Sequence, residues 1–191
     1  MKKNPLLERH EKALKLFTDR VHAVREEQWQ LATPCTEWSV RDLVGHLTEE
    51  QLWVPPLVSE GRTIADVGDE FEGDVLGDDP VAVWDRAAER ARAALAEPGA
   101  LERTVHLSYG TSTGHAYCAQ MVTDLVVHAW DLSRAIGADE RLPDDLVKFA
   151  VREIGPNSAE LEKSGLFAAP VEAPPGADVQ TKLLSLTGRR V

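Results

Sequence analysis

The sequence predicts an all-α protein, a four-helix bundle with a short hairpin and a short extra helix. Three observations carry that expectation. Four stretches place apolar residues three and four positions apart, the period of a helix with one buried face. Capping residues, glycine or proline punctuate these stretches where such helices would begin and end. One short stretch alone, residues 101–109, partly alternates as a strand does. At 191 residues the chain suits one domain with a small appendage.

The first stripe is Leu6, Leu7, Leu14, Phe17, Val21 and Val24, which predicts a helix over 5–29 with His10 on the same face. Pro34 and Thr36 mark 30–38 as a loop. Ser39 and Asp42 then form a capping box, with Asp in the usual Glu position. They open a second helix over about 40–53 that is expected to stop at Pro55-Pro56. Its inward positions are Val40, Leu43, Val44 and Leu47, with His46 beside them. Residues 55–78 are rich in Gly, Asp and Glu and read as a long loop holding at most a short helical turn. Loops of that length are often functional or mobile.

Asp79 as N-cap and Pro80 as the first helical residue start a third helix over roughly 80–96. Its small face (Ala87, Ala88, Ala91, Ala94) suits close packing, and Pro98-Gly99 ends it. Residues 101–109 read as a strand or hairpin ahead of Gly110. The fourth helix covers 114–136, with the stripe Tyr117, Met121, Asp124/Leu125, His128, Leu132 and Ala135, and with Gly137 at its C-terminal cap. A fifth, shorter helix opens at Pro143 and ends before Gly155-Pro156. From 164 the chain is rich in Pro, Gly and Ala and closes on KLLSLTGRR (182–190). The expected organisation is a bundle domain over 1–163 and a C-terminal tail over 164–191 packed on it.

Composition narrows the function. Hydrophobic residues are 43% and charged residues 28% of the chain, a globular balance, and the formal net charge is -11. That charge argues against nucleic acid and against an anionic membrane surface as partners. The two cysteines, Cys35 and Cys118, form no CxxC pair, so neither a zinc ribbon nor a disulfide framework is indicated. The N-terminal residues alternate charge with apolar positions and lack the h-region of a signal peptide. No apolar run reaches bilayer-spanning length. A cytoplasmic protein is the expectation.

Asp124 and His128 are four apart on the fourth helix, so they share a face with Met121, Leu125 and Leu132. A carboxylate directed at a core needs a charge partner or a metal. His46 is a similar misfit on the second helix. Two imidazoles and a carboxylate suit a divalent metal: Zn²⁺ first, with Ni²⁺ and Fe²⁺ as alternatives. A structural Asp124–His128 hydrogen bond is the competing reading. Glu49 and Glu50 read as a solvated face, or as groups within reach of the ion. Asp131 could orient a ligand or make a structural hydrogen bond. His10 reads as a packed histidine, with a fourth ligand as its alternative. Nothing directs His106 or His115 to a site. Cys35 reads as structural, and Trp38, Trp53 and Trp130 as packing residues.

The stretches TPCTEWSVRDLVGHL (33–47) and DLVVHAWDLSRAIG (124–137) resemble the DinB/YfiT-like superfamily. Within it the chain is similar to the N-terminal domain of mycothiol-dependent maleylpyruvate isomerases and to related actinobacterial metal-binding proteins. The similarity covers most of the chain, including the closing LLSLTGRR. The resemblance implies a four-helix bundle and a metal held by three side chains, which fall on His46, Asp124 and His128. The isomerases carry Glu where this chain has Asp124, one methylene longer. They also carry a C-terminal domain that helps bind the thiol, and the chain is expected to end before one. The function implied is a metal-dependent thiol (mycothiol-type) S-transferase or isomerase, with a small-molecule thiol and an electrophilic substrate as partners. The substrate would sit between the bundle and the 55–78 loop. The alternative is a non-enzymatic metal- or small-ligand-binding bundle, and a homodimer through exposed helix faces is a further expectation.

Overall fold

The computed structural model describes residues 4–155 and 167–191. These residues are mostly helical, with one two-stranded sheet. Helix α1 (Pro5–Val21) starts where the Asn4 side chain accepts from the Leu6 N–H at 2.8 Å, with Pro5 as the first helical residue. It ends at Val21, short of the expected residue 29. Residues Glu26–Gln28 form a separate 3-10 turn. Buried Gln28 accepts from the Arg25 N–H at 3.0 Å and donates to the Ile136 carbonyl at 2.9 Å. The chain therefore leaves the helix axis to satisfy a carbonyl at a distant helix end, which α1's own periodicity does not register.

Helix α2 (Val40–Val54) opens with the expected reciprocal capping box between Ser39 and Asp42. It does not stop at Pro55. It widens into a π turn over Pro55–Ser59, closed by the Glu60 N–H on the Pro55 carbonyl at 3.2 Å. Two successive prolines lack the N–H groups that an α ladder needs, and the wider turn keeps the helical course without them. This turn buries Pro56, Leu57 and Val58. The stretch that follows holds helix α3 (Ile64–Val67) and is tied to the helices at several places. Leu76 is buried over Gly45, and Asp74 pairs with Arg41 at 2.7 Å.

Helix α4 (Pro80–Leu95) begins on the Asp79 cap. Strands β1 (Thr104–Leu107) and β2 (Gly110–Thr113) form an antiparallel hairpin with Val105 opposite Ser112. Helix α5 (Gly114–Ile136) follows at once. Gly114 abuts the turn at Ala100 so closely that a Cβ there would lie 2.1 Å from the Ala100 carbonyl oxygen. Gly137, at φ 70°, ends α5 as expected, with the Ala138 N–H on the Ser133 carbonyl at 2.8 Å. Helices α6 (Asp144–Ile154) and α7 (Val179–Leu186) complete the described elements.

Helix α1 packs on α5 and α4, and α2 packs on α4 and α5. Between them lies one core that includes Phe17, Leu43, Leu47, Trp84, Met121, Leu125 and Leu132. Phe17 meets Trp84 at 4.8 Å between ring centroids, and the Trp84 indole donates to the Thr18 hydroxyl at 2.9 Å. Helix α6 packs on α5, and α7 on α6. The expected domain boundary at 163/164 lies outside the described residues. Among the described residues no helix is long and apolar enough to cross a membrane.

Candidate metal centre

Helix α2 carries His46 and helix α5 carries Asp124 and His128, and the packing of α2 on α5 brings them together. One ligand atom from each lies within 4.8 Å of the other two. His128 Nε2 is 3.4 Å from Asp124 Oδ1, and His46 Nε2 is 3.8 Å from Asp124 Oδ2. The two imidazoles meet edge to face, 5.6 Å between centroids. Ligands at ~2.0–2.1 Å around a tetrahedral Zn²⁺ stand about 3.3 Å apart. The two histidine–carboxylate separations are of that order, and the chemistry of the donor set, two imidazoles and a carboxylate, fits a small divalent cation. Each histidine faces a different oxygen of the Asp124 carboxylate.

Electrostatics bind the three tightly. Burial disfavours the Asp124 carboxylate, yet His128, His46 and Arg189 outweigh it and hold the carboxyl below its usual range. Burial likewise opposes a charged His128, but Asp124, Asp131 and Cys35 together raise its pKa well above the ordinary histidine value. His46 moves the other way. Burial lowers its pKa, Asp124 opposes that shift, and the neighbouring His128 reinforces it.

Behind His128 stands a second layer. Its Nδ1 is 2.9 Å from Asp131 Oδ2, so Nε2 is the nitrogen left facing Asp124. Asp131 is fully buried and is held by Arg189, whose Nη2 donates to Oδ2 at 2.7 Å and whose Nε donates to Oδ1 at 3.2 Å. With burial outweighed by His128 and Arg189, the Asp131 carboxyl falls to about 2. The Cys35 thiol lies against the same carboxylate at 3.3 Å and 3.7 Å from His128 Nδ1.

The loop before α2 supplies Cys35 and an aromatic wall. The Thr33 hydroxyl accepts from the Cys35 N–H at 3.1 Å and donates to the Trp38 carbonyl at 2.9 Å. Glu37 takes a left-handed φ of 70° to close the loop. Trp38 then lies 4.9 Å from the His46 ring and 6.1 Å from the His128 ring. Phe167 also lies 6.1 Å from the His128 ring.

The other sequence candidates divide. Asp131 does orient His128. Trp53 meets Phe71 edge to face and Trp130 is buried, as packing residues should be. Glu49 accepts from the Trp53 indole at 3.5 Å. Glu50 departs from the solvated-face reading. Burial, then Asp124 and Glu49, push its carboxyl up to about 8. His10 is buried on α1 with Nε2 lacking a partner, and it joins no donor group among the described residues. His106 and His115 are exposed and outside the site. Cys35 borders His128 and Asp131. Sequence reasoning missed Arg189 and Phe167. Glycine followed by arginine at a helix end, in LTGRR, was the one available signal for Arg189. A cavity of about 600 Å³ beside Arg189 is lined by Val171, Thr181, Ser185 and Arg190 among others and contains none of the three donors.

Comparison with known proteins agrees with these elements. Residues 10–133 match the family described as the mycothiol maleylpyruvate isomerase N-terminal domain. Two uncharacterized proteins of Mycobacterium tuberculosis, one from strain CDC 1551 / Oshkosh and one from strain ATCC 25618 / H37Rv, are similar to the chain. Each is 32% identical over 139 residues, 72% of this chain and 70% of the relative. No solved structure matches it.

Proposed function

The chain belongs to the mycothiol maleylpyruvate isomerase N-terminal domain family, and on that premise we propose that it is a divalent-metal protein that handles a mycothiol-type thiol as an S-transferase or isomerase. His46, Asp124 and His128 would hold the ion, and Zn²⁺ is the ion proposed. The observation that carries this reading is the approach of three donors from two helices to the spacing of a metal's ligands. In the same reading, α1, α2, α4 and α5 form the four-helix bundle that the sequence predicts.

A bound divalent ion would act as a Lewis acid that lowers the pKa of a coordinated thiol and so supplies thiolate at neutral pH. The protein's residues do the rest. Asp131 holds His128 in one orientation through Nδ1. Trp38 lies against both imidazoles and Phe167 against that of His128, which gives the site apolar walls. Glu50 stands one helical turn beyond His46, and burial first, then Asp124 and Glu49, push its carboxyl up to about 8.

Elemental analysis of the purified protein tests the metal. Bound divalent ion is expected in the natural protein and is lost in His46→Ala and in His128→Ala. Full metal content in both variants would sink the reading. Thiol consumption by the metal-loaded protein with a panel of epoxides, cis-enoyl acids and haloarenes tests the chemistry. Intact metal with no turnover would favour the non-enzymatic binder.

A further inference from the structure

Two donor sets share His128. One is His46, Asp124 and His128, and the other is Cys35, His128 and Asp131. In each, the ligand atoms lie within 4.8 Å of one another. Donor chemistry by itself does not favour the first set, since a thiolate attracts Zn²⁺ at least as well as an imidazole does.

Arg189 breaks the tie. Its guanidinium already holds two of the second set's three donors, Asp131 and Cys35. It grips both oxygens of Asp131 at 2.7 and 3.2 Å, reaches Cys35 Sγ at 3.4 Å and donates to the Thr187 carbonyl at 2.6 Å. The side chain is only 7% exposed, so the pair is shielded from solvent. The fork also fixes Asp131 Oδ2 as the acceptor for His128 Nδ1, which presents Nε2 toward Asp124.

The backbone is built to deliver this side chain. Helix α7 ends in a left-handed Gly188 at φ 81°, with the Gly188 N–H on the Ser185 carbonyl at 3.1 Å and the Arg189 N–H on the Leu184 carbonyl at 2.8 Å. A Cβ at Gly188 would meet the Ala168 side chain at 2.7 Å and the Ala169 carbonyl oxygen at 2.8 Å. Position 188, just before Arg189, therefore calls for glycine for two reasons, its left-handed backbone and the lack of room for a Cβ.

We propose that Arg189 is a positioning residue that occupies the Cys35–His128–Asp131 set and thereby confines the ion to His46, Asp124 and His128 Nε2. The inference rests on the metal reading above. It also makes the C-terminal tail, outside the family-matched residues 10–133, a working part of the site.

Cobalt(II) absorption of the full chain tests it. The natural protein is expected to show cobalt bands without a thiolate-to-cobalt charge-transfer band. Arg189→Met is expected to gain that band, and Arg189→Met with Cys35→Ser to lose it again. Arg189→Lys keeps a cation in place and is expected to stay free of the band. Zinc affinity of the original set is expected to fall 10–100-fold in Arg189→Met, the range for a lost supporting contact. An Arg189→Met protein that binds cobalt with an unchanged spectrum overturns the inference and leaves the metal reading standing. A charge-transfer band in the natural protein does the same. A natural protein that takes up no cobalt overturns both. Should Arg189→Met fail to fold, ¹⁵N–¹H spectra of the zinc-loaded natural protein decide. A proton on His128 Nδ1 with the metal at Nε2 supports the inference, and the reverse arrangement overturns it.

Discussion

His128 Nδ1 lies 2.9 Å from Asp131 Oδ2, so a fully buried carboxylate on the same helix sets the direction in which the imidazole faces. A carboxylate behind a histidine ligand fixes the ring and raises its basicity. Asp131→Asn keeps the shape and removes the charge. Metal affinity is expected to fall about 10–100-fold with the fold retained. Chelator competition measures the affinity, and circular dichroism checks the fold.

Asp124 reaches both histidines although it is one methylene shorter than glutamate. Asp124→Glu, the residue the isomerases carry, is expected to bind metal within about tenfold of the natural protein, or ~1.4 kcal/mol. Asp124→Ala removes a donor outright and should weaken binding more than Asp131→Asn does. Calorimetric titration with zinc ranks the three. Equal affinity in Asp124→Ala and the natural protein would remove Asp124 from the ligand set.

His10 bears on stability and not on the site. Burial first, and Arg92 second, lower its pKa to about 4, and its Nε2 has no hydrogen-bond partner among the described residues. The unfolded chain therefore binds a proton between pH 6.5 and about 4 that the folded chain refuses. Stability is whole above pH 6.5 and falls as pH drops toward 4, by ~3 kcal/mol for this group. His10→Leu removes both the orphaned nitrogen and the titration. Thermal unfolding across pH 4–7 should show a flatter profile in the variant, with its advantage growing toward acid.

Gly114 joins the hairpin to α5 at a contact that leaves no room for a methyl group. Gly114→Ala is expected to destabilise by about 1–3 kcal/mol through overpacking. For a chain of this size that lowers Tm by roughly 2–4 °C per kcal/mol. An unchanged Tm would mean that the 100–102 turn yields at no cost.

The sequence by itself determined the helices that carry chemistry. The Ser39/Asp42 box, the Asp79-Pro80 start and the Gly137 stop set the ends of α2, α4 and α5, because capping is local physics between near neighbours. It also placed Asp124 and His128 on one face, since a four-residue step is nearly one helical turn. His46 came from a long motif and not from spacing, for no local rule links residue 46 to residue 124. Only the tertiary structure decided the rest. Helix α1 ends at Val21 because Gln28 is needed at the end of α5, and α2 runs through Pro55 because burial of Leu57 and Val58 favours a wider turn over a stop. Cys35, Asp131 and Arg189 meet across 154 residues of chain. Their partnership is a matter of one desolvated carboxylate needing a cation, and a sequence records that need without recording where the cation comes from.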